Sequence, residues 1–396
     1  MTMFSVSPIP PGLIHGAVDI EQRETGILPH RLPAWARAQC RDPQLAMVQS
    51  QPSGVRLAFR TTASSVELVT VPTKRHYRDM PPRPDGVYDL LVDGRLVQQA
   101  SAAGGKVLNI DMVSGASTLV AGAPQTLRFA DLPRGEKTVE IWLPHDETTE
   151  LVALHADAPL QALAPGGRRR WLHHGSSISQ GSNATHPTGI WPAVAAGRAG
   201  VDLLNLGFGG SALLDPFTAR TIRDLEADLI SIKIGINLVN LDLMRLRAFG
   251  PAVHGFLDTI RDGHPGTPLL VVSPISCPIH ETTPGPTMVD GKAMAKGQLR
   301  FRTTASDAEV RQGKLTLAVI RAQLAEIVGE RAQRDGAIHY LDGRELYGME
   351  DNARLPLPDE LHPDAQAHRL IGERFHDKVF AGGAFAAPAS PQAPPA

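Results

Sequence analysis

Cysteine is nearly absent: the 396 residues include two, Cys40 and Cys277, far apart in the chain. That excludes the disulfide framework of a small secreted domain and predicts two reduced thiols. Charge of one sign is also lacking. Lysine and arginine total 39 against 41 acidic residues, a formal net charge of −2. No global field draws such a chain to nucleic acid or to an anionic membrane. No apolar run has the length of a membrane span. The opening "MTMFSVSPIPPGLIHGAVDI" has no basic segment followed by an apolar core and a small-residue cleavage site. The rule for signal peptides therefore predicts none, and the expected location is cytoplasmic. No internal repeat is visible. Histidines are scattered without zinc-type spacing, so neither a metal nor a cofactor is expected.

The rest is ordinary for a folded protein, with 42% hydrophobic and 20% charged residues. The length exceeds what one core usually serves, so two domains are expected. Residues 1–165 read as short strands and turns. "GVRLAFRTTA", "SSVELVTVP", "GVYDLLVDGRLVQQA", "QTLRFADLP" and "KTVEIWLP" are separated by Gly, Pro, Asp or Ser, and several alternate apolar with polar residues. Gly94 marks a hairpin tip. Strands without intervening helices predict an antiparallel β-sandwich.

The texture changes after "QALAPGGRRR", whose Arg168 to Arg170 read as a solvated linker. Near-continuous apolar runs, "RWLHHG", "VDLLNLGF", "DLISIKIG", "PLLVVSP" and "AIHYLDG", now alternate with helical stretches at 188–199, 240–262, 305–335 and 364–379. This predicts a flavodoxin-like, doubly wound α/β domain over 168–382 with a five-stranded parallel sheet. The Ala/Pro-rich end, 383–396, reads as a disordered tail.

Ligands of an open α/β sheet bind beyond the carboxyl ends of its strands. Three of those ends carry "GSSIS" (175–179), "NLGFGGS" (205–211) and "GIN" (235–237), and the last helix is preceded by "PDELHPD" (358–364). Serine needs an adjacent base to become a nucleophile, and His362 can be that base. Asp359, three residues earlier, can meet the imidazole within one turn and fix its tautomer. Pro363 suits the first position of the next helix. Acyl transfer also needs oxyanion donors, which the N–H groups of Ser177 and Gly210 and the amide of Asn237 would supply.

At these residues the chain resembles the SGNH (GDSL-type) hydrolases. "GSSI" matches the Gly-Asp-Ser-Leu block with Ser176 in place of aspartate, and Ser177 is the implied nucleophile. The oxyanion glycine falls on Gly210. "GINL" keeps Asn237 and puts Leu238 where the family has aspartate. The Asp-x-x-His block is intact as Asp359 to His362. The resemblance covers roughly 168–380. With the sandwich in front, it points to the subgroup that includes carbohydrate acetyl esterases and an acyltransferase of polyketide tailoring. It implies a serine esterase acting through an acyl-enzyme on a small acyl ester. An acyltransferase moving the acyl group to the hydroxyl of a small-molecule acceptor is the alternative. An inactive binding protein with a carbohydrate-binding-like sandwich is the third reading.

Each residue also has a plainer role to weigh. Ser177 could be a helix N-cap. Asn237 could cap the next helix. Gly207, Gly209 and Gly210 could serve a tight turn, and His362 could lie on the surface. Ser176 and Ser179 read as structural. His173 and His174 are adjacent on a strand, so they point to opposite faces and cannot chelate together. The Pro/Gly-rich stretch 273–298, with Cys277 and His280, reads as a substrate-facing loop without chemistry.

Overall fold

Alternation builds the first half. In Val66–Tyr77, Val66 and Leu68 point inward while Glu67 and Val69 are only half-buried. The fold is that of a computed structural model, which describes residues 4–386 apart from 79, 112, 113 and 165. One sheet runs Ser117–Val120, Lys106–Ile110, Val66–Tyr77, Thr148–Ala156, Ile27–His30, Asp19–Gln22, with two further strands paired alongside. A second runs Gln161–Ala162, Arg56–Thr61, Lys137–Trp142, Val87–Val92, Arg95–Ser101, with Ile14–His15 paired at Arg56–Thr61. Pairings are antiparallel except that Val66–Tyr77 and Lys106–Ile110 run parallel. Leu68, Leu151 and Leu154 from the first sheet share a core with Phe59, Leu90 and Ile141 from the second. The hairpin tip at Asp93–Gly94 has both residues in the left-handed region, φ 49° and 77°. This is the two-residue turn whose twist suits a hairpin.

Helices do interrupt the sandwich half, contrary to expectation. Ala34–Arg37 and Pro43–Ser50 lie between its strands. The second has Asp42 at its N-cap, accepting from Leu45 N, and Pro43 in the first turn. Asp-Pro is a helix-start signal that strand periodicity does not register.

The second half is a five-stranded parallel sheet in the order Asp202–Gly207, Arg170–Gly175, Leu229–Lys233, Leu269–Val272, Ile338–Leu341. The reversal beside Arg170–Gly175 opens the crevice where such sheets bind ligands. Helical boundaries moved wherever a backbone break intervened. The 240–262 stretch splits into Ile236–Asn240 and Leu246–Gly263 around Asp242 at φ 50°. The 305–335 stretch is a short 3₁₀ turn, then Gly313 at φ 82°, then Leu317–Ala332 capped by Thr316. The 188–199 helix occupies Trp191–Ala199, and 364–379 becomes Ala365–Phe375 followed by a π-helical turn. Residues 273–298 carry a strand, Thr287–Val289, paired with Phe301–Thr303 in a small hairpin.

Arg168 and Arg170 are exposed, as expected of a solvated linker, and all three arginines have partners. Arg168 faces Glu140 at 3.3 Å, Arg169 donates to the Phe385 carbonyl at 2.9 Å, and Arg170 pairs with Glu226 at 3.0 Å. The tail is not loose from 383. Phe385 is fully buried, with its ring 5.5 Å from Phe380. Residues 387–396 of that predicted tail lie outside the described residues.

Polar groups join the halves. Arg31, fully buried, donates to Gln51 O (2.7 Å) and Val48 O on its own side. It also donates to Asn205 O (3.1 Å) and Gly207 O (2.5 Å) across the seam, and its guanidinium lies over Phe208. Asp89, also fully buried, accepts from His186 Nδ1, Thr188 N, Thr188 Oγ1 and Gln99 Nε2 at 2.6–2.9 Å. Burial by itself would raise the Asp89 pKa; these donors outweigh it and hold the carboxylate below its ordinary range.

Replacing Arg31 with Met removes the side-chain donor from four carbonyls, of which Val48 O and Gln51 O keep the backbone donors Gln51 N and Ser53 N. Each orphaned buried group costs ~1–3 kcal/mol. Counting only Asn205 O and Gly207 O, we expect Arg31→Met to lower unfolding stability by at least ~2 kcal/mol in urea titration. An unchanged midpoint would show that the seam does not depend on this side chain.

Candidate active site

The first strand ends at Gly175, and the chain turns at once into the short helix Ser177–Gln180. Ser176 is the N-cap by position, but its hydroxyl makes no capping bond and, among the described residues, is buried without a partner. Ser177, the first helical residue, has its hydroxyl 2.9 Å from His362 Nε2. His362 Nδ1 lies 2.8 Å from Asp359 Oδ2. A carboxylate only accepts, so Nδ1 carries the proton and Nε2 accepts from Ser177. The other Asp359 oxygen accepts from Leu361 N (3.0 Å) and His362 N (2.7 Å). Burial pushes the Asp359 pKa up. The hydrogen bond and charge of His362, with the two backbone donors, outweigh this and hold it below the usual carboxylate value. Pro363 is not the first helical residue as expected. Asp364 caps the helix instead, accepting from Ala367 N at 2.8 Å.

The loop after the second strand comes up beside Ser177. A Cβ at Gly207 would stand 2.5 Å from Gln180 N, so glycine there lets the nucleophile helix rest on the strand. A Cβ at Gly209 would lie 3.5 Å from Ser177 Cβ. Gly210 follows with φ 73°. Among the described residues, neither Ser177 N nor Gly210 N has a backbone acceptor. Asn237 enters from the short helix Ile236–Asn240, behind Gly235 at φ 128°. Its Oδ1 accepts from Ala212 N at 3.1 Å, which assigns the amide and leaves Nδ2 as the group not held there. Asn237 thus does not cap its own helix.

Strand alternation separates the two histidines as expected. His173 bonds Ser231 Oγ through Nδ1 (2.7 Å) and Ser179 Oγ through Nε2 (2.8 Å). Ser179 is therefore a brace under the nucleophile turn. His174 faces the other side, donating to Leu206 O at 2.8 Å between Phe208 and Phe256, and burial pulls its pKa down to about 4. Cys277 is buried with Sγ 3.4 Å from the Glu360 carbonyl, and burial pushes its thiol pKa up. His280 bonds Thr287 Oγ1 at 2.6 Å and holds the hairpin. That hairpin sets Phe301 edge-on to the His362 imidazole, centroids 5.8 Å apart, with Phe301 N donating to Asp359 O at 2.9 Å.

Two glutamines are among the residues that escaped the sequence reading. Gln180 Oε1 accepts from Gly209 N at 2.7 Å, and its Nε2 donates to Gln51 Oε1 and His145 O. Gln44, from the sandwich half, donates to Gly209 O at 2.9 Å. Glutamines at helix positions carry no motif, so only tertiary placement reveals them.

Residues 169–285 match the GDSL-like lipase/acylhydrolase family model, and residues 13–151 match the SsfX3 N-terminal domain. None of the curated proteins matches the chain in sequence. Among solved structures, the chain is similar to salicylyl-acyltransferase SsfX3 from a tetracycline biosynthetic pathway. Identity is 29%, the TM-score is 0.77, and 94% of this chain and 95% of that chain are covered. A GDSL-like lipase from Bacteroides ovatus shares the fold at 17% identity and TM-score 0.66, covering 94% and 96%. A family two carbohydrate esterase from Cellvibrio japonicus does so at 13% and 0.55, covering 95% and 96%.

The depressed Asp359 pKa makes a stability prediction. A carboxylate whose folded pKa lies below its unfolded value stabilises the fold above the unfolded value, and that contribution fades as pH falls through the folded value. Asp359→Asn has no such step. We expect it to melt below the parent at neutral pH, with the gap closing below about pH 4. A pH-independent gap in Tm would contradict the ionised pairing. The Ser177–His362–Asp359 line and both matches point the same way: residues 169–285 are similar to the GDSL-like lipases/acylhydrolases, and residues 13–151 to the SsfX3 N-terminal domain.

Proposed function

We propose that the chain is a serine esterase that works through an acyl-enzyme on a small acyl ester, with Ser177 as nucleophile, His362 as base and Asp359 as orienter. The observation that carries this is the unbroken hydrogen-bonded line from Ser177 Oγ to Asp359 Oδ2. In the first step Ser177 Oγ attacks the acyl carbonyl carbon and its proton passes to His362 Nε2. The carbonyl oxygen becomes an oxyanion, facing Ser177 N, Gly210 N and Asn237 Nδ2. Collapse breaks the ester C–O bond, and the leaving alcohol takes the proton from His362. Water, deprotonated by His362, then attacks the acyl carbon; the acyl C–Oγ bond breaks, His362 returns the proton to Ser177 Oγ, and the acid leaves.

A second reading rests on a specific observation. The likeness to an acyltransferase extends over both halves of the chain, including the N-terminal domain match. An alcohol of a small-molecule acceptor would then replace water in the second step. An inactive binding protein does not fit so well, because such a protein has no need to keep this hydrogen-bonded line. The proposal divides the chain into a sandwich unit, 1–165, and a hydrolase unit, 168–382. Among the described residues no helix is long and apolar enough to cross a membrane. Both cysteines are free, which suits a reducing compartment, and the proposed location is the cytoplasm. Nucleic acid and membrane are not proposed partners.

The test is turnover of p-nitrophenyl acetate. Ser177→Ala should abolish it, while Ser176→Ala retains most of it. Asn237→Ala should lower kcat ~10²–10³-fold with KM little changed, because its amide bonds a charge present only in the transition state and intermediate. Full activity in Ser177→Ala would end the proposal. Adding acceptor alcohols separates the two chemistries: an ester product in place of free acid marks transfer.

A further inference from the structure

Asn183 lies in the loop that leaves the nucleophile helix. Its Nδ2 stands 3.2 Å from Asp359 Oδ2, the same oxygen that accepts from His362 Nδ1. The amide also lies 3.5 Å from the His362 carbonyl. A carboxylate accepts and never donates when ionised, so the nitrogen of the amide must face it. The loop itself is held tightly. Ser182 N donates to Ser177 O at 2.9 Å, and His368 Nε2 donates to Ser182 O at 2.9 Å. His368 is fully buried, with Nδ1 accepting from Trp191 N at 3.3 Å, so its tautomer is set from both sides. Asn183 occupies the left-handed region at φ 66°, where asparagine is among the few side chains tolerated.

The four donors around Asp359 divide evenly. One oxygen takes two backbone N–H groups; the other takes His362 Nδ1 and Asn183 Nδ2. Without the amide, the oxygen facing the imidazole would hold its negative charge on one partner. The carboxylate would also be free to turn about the axis that its backbone donors leave open. We propose that Asn183 is a positioning residue for the acid–base pair: it fixes the plane of the Asp359 carboxylate and spreads its charge, and so ties the nucleophile helix to the loop bearing the base. This rests on the reading of Ser177, His362 and Asp359 given above. Asn183 touches no reacting atom.

Other charged or titratable groups surround the pair. Arg300 and Glu360 form an ion pair at 3.4 Å beside it, Cys277 donates to the Glu360 carbonyl, and His368 lies beneath. Among the described residues, none of them hydrogen-bonds the Asn183 side chain, which bonds Asp359 and the His362 carbonyl.

The test compares the parent, Asn183→Gly and Asn183→Asp by pH–rate profile, kcat, KM and Tm, on p-nitrophenyl acetate. Glycine keeps the left-handed backbone and removes the amide. Aspartate keeps the size and replaces the donor with a carboxylate. In Asn183→Gly, kcat should fall about tenfold with KM unchanged, the equivalent of one hydrogen bond to a charged group. Its acidic limb should move to higher pH, because an unshared Asp359 charge favours the imidazolium more. In Asn183→Asp the limb should move further in the same direction. Parental kcat and parental limb in both variants would overturn the proposal. So would a rise in KM alone, which makes Asn183 a substrate contact, or a lowered Tm with an unmoved limb, which makes it purely structural. Ser177→Ala, assayed in parallel, keeps the two readings apart. If it is inactive while the Asn183 variants match the parent, only this inference falls; if it is active, the acid–base pair falls with it.

Discussion

One glutamine amide joins three segments on which the site depends. Gln180 sits a turn beyond Ser177, accepts from Gly209 N, and donates to Gln51 and His145 of the sandwich half. The nucleophile helix is only Ser177–Gln180, too short to hold itself by its own hydrogen bonds. It is held by packing at Gly207, by Ser53 Oγ donating to Gln180 O at 2.6 Å, and by this amide. The sandwich is therefore part of the frame that sets Ser177 against the Gly209–Gly210 loop. Arg31 and Asp89 carry the same seam along its length. Their burial without full pairing would be costly, which makes the relative position of the halves specific.

The electrostatics follow from what this frame excludes. Asp359 is almost wholly buried, which alone would favour its neutral form. The hydrogen bond and charge of His362, with the backbone donors His362 N and Leu361 N, reverse that balance and hold its pKa below the usual carboxylate value. The imidazole then has one tautomer and one open acceptor, directed at Ser177 Oγ. Phe301, placed by the hairpin, covers the imidazole edge. The same hairpin reaches Asp359 through its own backbone, so the orienter is braced from both flanks.

Much of this was legible in the residues. Period-two alternation located the sandwich strands, and near-continuous apolar runs located all five parallel strands, because a sheet covered on both faces has no polar side. Three strand ends pointed to Ser177, Gly210 and Asn237, the segment before the last helix pointed to Asp359 and His362, and the family resemblance implied their roles. What stayed hidden was set by tertiary contact. Helix boundaries moved at Asp242 and Gly313, where positive φ breaks a periodic pattern that otherwise continues. Asp42-Pro43 opened a helix within a region read as strands, and Phe385 anchored the start of a segment read as a disordered tail. Gln44, Gln180 and Asn183 are common residues on unremarkable stretches; their partners come from distant parts of the chain, and no local spacing encodes that.

The central claim is that one serine, Ser177, is activated by His362 and forms the covalent intermediate. A fluorophosphonate probe reacts with a serine only where a base has made it nucleophilic. Intact mass spectrometry after labelling should show a single adduct, peptide mapping should place it on Ser177, and His362→Ala should lose it. Labelling on Ser176, Ser179 or Ser182, or labelling that survives His362→Ala, would contradict the account.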